Sequence, residues 1–188
     1  MQDLKNYTVG YYTRERPENL FTDCGLLRPD ELAALCYALD WPFWGPKGKP
    51  IRNPGKIYSI GAGPGNLEVI LEKMGHEVVG VDPSPGAKEL YQGKKLVDKY
   101  DGGGDTILFV ESIEHLPVKE INRIMSLVPH GARVVIVNWV DFFPIPKDSE
   151  WDHITTIDDG MYDKLTKNNK VVLRKGSHLV FEKCSGQS

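Results

Sequence analysis

The segment Gly61-Ala62-Gly63-Pro64-Gly65 constrains this chain more than any other. It follows a short apolar run, Ile57 to Ile60, and precedes Leu67, Ile70, Leu71 and Met74 at helical spacing. Glycines between a strand and a helix permit a tight turn and a close backbone approach. The helix N-terminus behind them favours negative charge. The same rhythm continues: Val78-Val79-Gly80-Val81 reads as a second strand, 85–100 as a helix with Leu90, Tyr91 and Leu96 as buried candidates, and Thr106 to Val110 as a third strand. Val118 to Val128 reads as a helix and Ala132 to Asn138 as a fourth strand. Continuous apolar strands alternating with amphipathic helices predict an α/β fold, a parallel sheet covered on both faces. Val171-Val172-Leu173 and Leu179-Val180-Phe181 read as a closing hairpin.

The first 55 residues differ. Arg28-Pro29-Asp30-Glu31 opens a helix carrying Leu32, Leu35, Cys36 and Leu39, and 41–55 is a loop with four prolines. The expected organisation is an N-terminal helical arm and loop over 1–55, then a core over 56–184. At 188 residues, with 40% apolar and 26% charged composition, the chain is a single globular domain's worth. A net charge of −3 excludes disorder by self-repulsion and gives no global attraction to nucleic acid or anionic membrane. No apolar run approaches the roughly eighteen residues of a membrane span, and the N-terminus lacks a signal-peptide pattern. Cys24, Cys36 and Cys184 are scattered, so reduced thiols in a cytoplasmic setting are expected.

Asp82 lies 21 residues after Gly61, at the end of the second strand, where a carboxylate can accept both hydroxyls of a ribose. Dinucleotide enzymes of the NAD type require G-x-G-x-x-G, and the sixth position here is Asn66. S-adenosylmethionine enzymes use G-x-G-x-G, which Gly61, Gly63 and Gly65 match. A turn that merely connects strand to helix is the competing reading.

Taken in order, KIYSIGAGPGNLE, VVGVDPS and ILFVESIEHLP resemble the class I S-adenosylmethionine-dependent methyltransferase family over about 56–183. The resemblance implies a Rossmann-like sheet with a C-terminal antiparallel hairpin. It places Gly61, Ala62, Gly63, Gly65, Asp82 and Glu111 around the cofactor, with Asp82 on the ribose. Only about twenty residues separate the Asp82 strand from ILFV, where the family has a further strand and helix. The sheet is therefore expected to lack one edge strand, as in abbreviated chains that look like bacteriophage methyltransferases.

Glu111, Glu114 and His115 close the third strand, at the edge where ligands bind in open α/β sheets. In a helical turn all three share one face, a set able to hold Mg, Mn or Zn. Such a metal would lower the pKa of an acceptor hydroxyl. This E-x-x-E-H pattern resembles metal-assisted O-methyltransferases of the ubiquinone pathway and of RNA 3′ ends. In the RNA group a histidine from a later loop completes the site, for which His153 is the matching candidate. The alternative is a turn that caps itself or lines the cofactor pocket. Without metal, His115 or His153 would serve as general base.

The methyl acceptor is left open between a small molecule and a nucleic-acid 3′ end. Lys47, Lys49, Arg52 and Lys56 with Trp41, Phe43 and Trp44 suit bases and phosphates, or simply cover a core. Asp141, Asp148, Glu150, Asp152, Asp158 and Asp159 would repel a polyanion, with Arg174 and Lys175 placed to offset them. A non-catalytic S-adenosylmethionine-binding module and, behind it, an NAD-type enzyme are the competing functions.

Overall fold

A computed structural model describes residues 55–73, 75–138, 154–176 and 178–185. The expected N-terminal arm and His153 lie outside the described residues. Seven strands form one sheet: β1 (Lys56–Ile60), β2 (Glu77–Val81), β3 (Leu96–Val97), β4 (Thr106–Val110), β5 (Arg133–Val137), β6 (Lys170–Lys175) and β7 (His178–Glu182), in spatial order β3-β2-β1-β4-β5-β7-β6. The first five run parallel, β7 pairs antiparallel with β5, and β6 closes the hairpin against β7. The predicted Rossmann-like sheet with an antiparallel end is therefore present.

The period of two along each strand divides the core between the faces. On β4, Ile107 and Phe109 join one cluster and Leu108 the other. Helix α1 (Asn66–Lys73) buries Leu71 against the face that holds Ile57, Val78, Leu108 and Val135. Helices α3 (Val118–Leu127) and α4 (Asp159–Thr166) bury Ile121, Ile124, Met161 and Tyr162 on the opposite face. Ile70, expected on the inner stripe of α1, is 39% exposed.

Two expectations are corrected. The helix read over 85–100 is α2 (Pro85–Leu90) only, capped by Ser84 Oγ, which accepts the Ala87 N–H. The chain then extends, and Gly80 and Asp82 donate to the carbonyls of Lys95 and Val97. The edge strand expected to be missing is thus present, shortened to the two residues of β3. What is absent there is the helix after it. Asp98 to Asp105 form a loop with Gly102, Gly103 and Gly104 all at positive φ. Tyr100, fully buried, fills the space beneath, with its hydroxyl donating to Gly103 O and its ring edge-on to Tyr58. Helix α4 begins where the run of acids expected to repel a polyanion ends, at Asp158 and Asp159. Asp158 caps it by accepting the Met161 N–H.

Candidate active site

The carboxyl ends of β1, β2 and β4 meet where the strand order reverses, the position at which open α/β sheets bind ligands. At the end of β1, Gly61 has φ 74°, and a Cβ there would stand 2.5 Å from Ser112 Cβ. Ser112 Oγ in turn donates to Ile60 O at 2.6 Å. Glycine at 61 is thus required by both backbone and packing, and the turns after β1 and β4 are locked together.

Asp82 is buried, and both carboxylate oxygens are engaged. Oδ2 accepts the Gly63 N–H and Oδ1 the Ser84 N–H. Each oxygen keeps a further lone pair for a ligand hydroxyl. The structure therefore places Gly61, Ala62, Gly63, Gly65 and Asp82 together. Asp98, one residue past β3, pairs with Lys88 at 2.8 Å beside this edge. It was missed because a two-residue strand carries no periodicity.

Beneath the turn, Glu68 of α1 is 2% exposed, and the Ser59 hydroxyl hydrogen-bonds its carboxyl. Burial pushes this carboxyl up to about 7, against the opposing Ser59 bond and with the help of Glu72 and Asp82. In sequence, Glu68 reads only as an acid suited to a helix N-terminus.

Glu111 follows β4, with its N–H donating to Val137 O and with φ 49°, a left-handed conformation costly for a side-chain-bearing residue. The chain then enters a 3₁₀ turn, Ile113–His115. Glu114 is buried, hydrogen-bonded by the Asn138 side chain and 3.9 Å from His115 Nε2. Burial raises the Glu114 pKa, while His115 and Asn138 oppose the rise. The Glu114 carbonyl accepts the N–H groups of Ile154 and Thr155, which ties those two residues to the turn after β4. The Tyr162 hydroxyl is pushed upward by burial and by Glu114, Glu111 and Asp159, with Arg174 opposing.

The expected convergence of Glu111, Glu114 and His115 on a metal is not found. Among the described residues no three His, Cys, Asp or Glu side chains group as a metal site. The left-handed Glu111 and the 3₁₀ turn replace the helical spacing that would align them. Glu114 is buried, whereas the His115 side chain is 32% exposed. Arg174 does offset acids as expected, engaging Asp159 and Asp163 together.

A family model described as a methyltransferase domain matches residues 38–169. The chain belongs to the methyltransferase domain family. No curated protein sequence matches it. Among solved structures, a TehB-like SAM-dependent methyltransferase from Corynebacterium glutamicum ATCC 13032 aligns with a TM-score of 0.56 at 17% identity, over 95% of this chain and 98% of that one. Magnesium protoporphyrin IX methyltransferase from Synechocystis PCC 6803, with bound SAM, aligns at 0.53 and 14% identity, over 97% of both chains. These likenesses are of fold. The chain spans about half (51%) of a SAM dependent methyltransferase from Archaeoglobus fulgidus, with a TM-score of 0.41. No helix among the described residues of this methyltransferase-domain chain is long and apolar enough to cross a membrane.

Proposed function

We propose that this chain transfers a methyl group from S-adenosylmethionine to the hydroxyl of a small acceptor. The observation that carries the reading is the Asp82 carboxylate, fixed by Gly63 and Ser84 N–H groups beside the glycine turn, with acceptor capacity left for a ribose diol. The cofactor, when bound, supplies a methyl on a sulfonium sulfur, which an acceptor oxygen displaces. The protein's tasks are then alignment and removal of the hydroxyl proton.

His115 suits the second task. It is partly exposed at the carboxyl edge, and Oε1 of the buried Glu114, which Asn138 hydrogen-bonds, lies 3.9 Å from its Nε2, near enough for a carboxylate there to favour the imidazolium. Glu111, Glu114 and His115 do not gather as a metal site, which favours a protein base at His115. A small uncharged acceptor is favoured over a nucleic-acid 3′ end because Arg174 is already engaged by Asp159 and Asp163. Arg174 is thus not available to hold a phosphate at this edge.

The test is transfer of labelled methyl from S-adenosylmethionine to a panel of small hydroxyl compounds and an RNA oligonucleotide with a free 3′ end. Label on a small hydroxyl compound is expected. Label on the RNA would overturn the acceptor assignment. Tight cofactor binding with no transfer to any acceptor would favour a non-catalytic binding module.

A further inference from the structure

Resting on the S-adenosylmethionine reading above, we infer that Tyr91 is a positioning residue for the cofactor turn, a wedge that holds Gly61–Gly65 in its receptive shape. Three glycines from three segments make room for this one ring. A Cβ at Gly65 would lie 2.7 Å from ring carbons of Tyr91, and one at Gly80, on β2, 2.5 Å from its hydroxyl oxygen. One at Gly93 would also lie 2.5 Å from that oxygen. The space that a side chain at Gly65 would need is therefore filled by Tyr91. Gly65 thus has a packing reason to be glycine beyond any approach of cofactor.

The residue after the wedge completes the clasp. Gln92 donates its N–H to Pro64 O at 2.9 Å, and its side-chain amide lies 3.4 Å from Asn66 Oδ1. The turn is thus held from two sides, by Asp82 at Gly63 and by Tyr91–Gln92 at Pro64, Gly65 and Asn66. The backbone that carries the ring is itself fixed, because the Tyr91 N–H closes α2 on Ala87 O. Burial and the nearby Glu68 and Glu72 keep the hydroxyl protonated. A turn held at both ends keeps its shape against a ligand without reorganising, and a shift of the surface that the ligand touches weakens binding steeply.

The experiment compares wild type with Tyr91→Phe, Tyr91→Leu and Tyr91→Ala by amide hydrogen exchange at Gly63 and Gly65 and by calorimetric titration with S-adenosylmethionine. Ile124→Ala, a core truncation on the other face of the sheet, controls for general loss of stability. Tyr91→Ala is expected to speed exchange at both amides and to raise the cofactor Kd about tenfold or more. Tyr91→Phe keeps the ring and stays near wild type, and Ile124→Ala leaves both readouts within about twofold. If Tyr91→Ala does not fold, Tyr91→Leu carries the comparison. Gly80→Ala, which puts a methyl against the hydroxyl, should loosen the same two amides, and Tyr91→Ala in that background should remove the added effect. Unchanged exchange with Kd within about twofold of wild type in the Tyr91 truncation overturns the proposal. If wild type binds no S-adenosylmethionine, the functional reading fails. The exchange result then decides by itself whether Tyr91 sets the turn.

Discussion

Asp82 Oδ2 accepts the Gly63 N–H at 3.0 Å, joining residues nineteen positions apart. Together with the Ser84 N–H on Oδ1, this bond makes one carboxylate a structural tie between β2 and the glycine turn. The proposed ribose ligand is therefore preorganised by the turn it serves.

A stability cost follows. Asp82→Ala leaves two buried N–H groups without their acceptor and should lose about 1–3 kcal/mol in urea unfolding. Asp82→Asn retains one acceptor oxygen and should lose less. Equal stability of wild type and Asp82→Ala would show that the tie contributes nothing.

Gly61 and Gly75 both have positive φ, but a Cβ at Gly75 meets nothing within 4 Å while one at Gly61 meets Ser112. Gly75→Ala should cost only the backbone term, about 1–2 kcal/mol. Gly61→Ala adds overpacking and should cost about 3 kcal/mol or more. Matching losses in thermal unfolding would remove the Ser112 contact as a cause.

Glu68 gives a pH signature. Burial raises its carboxyl from 4.5 to about 7 in the folded chain. Between those values the folded state keeps a proton that the unfolded chain has released. Stability from this group therefore falls as pH rises through the window and stays lower above it, by about 3 kcal/mol in all. Glu68→Gln should gain on wild type between pH 4.5 and 8, as read by urea unfolding across that range. A constant difference would contradict the assignment.

For the chemistry, His115→Ala should lower kcat by about 10²–10⁴, the range for loss of a general base. Turnover should persist in chelator. Loss of activity on chelation, restored by Mg or Mn, would contradict proton removal by His115 alone.

Much of the sheet was legible because buried parallel strands such as TILFV and RVVIV are continuous apolar runs bounded by glycine and polar residues. The turn and Asp82 were legible through their spacing. β3 was not, since two residues leave no pattern, and its pairing depends on Gly80 and Asp82 of another strand. The grouping of Glu111, Glu114 and His115 was misread because it assumed helical geometry, whereas Glu111 adopts a left-handed backbone that sequence does not announce. Tyr91 looked like a helix residue. Its role depends on three glycines, two of them remote in sequence, that only the fold brings together.

The central claim is tested most directly by calorimetric titration of S-adenosylmethionine, with NAD alongside, into wild type and Asp82→Ala. The account predicts saturable binding of S-adenosylmethionine by wild type, none of NAD, and a loss of about 1.5–3 kcal/mol or more in the variant, roughly tenfold to a hundredfold in Kd. Undiminished affinity in Asp82→Ala, or preference for NAD, would contradict it.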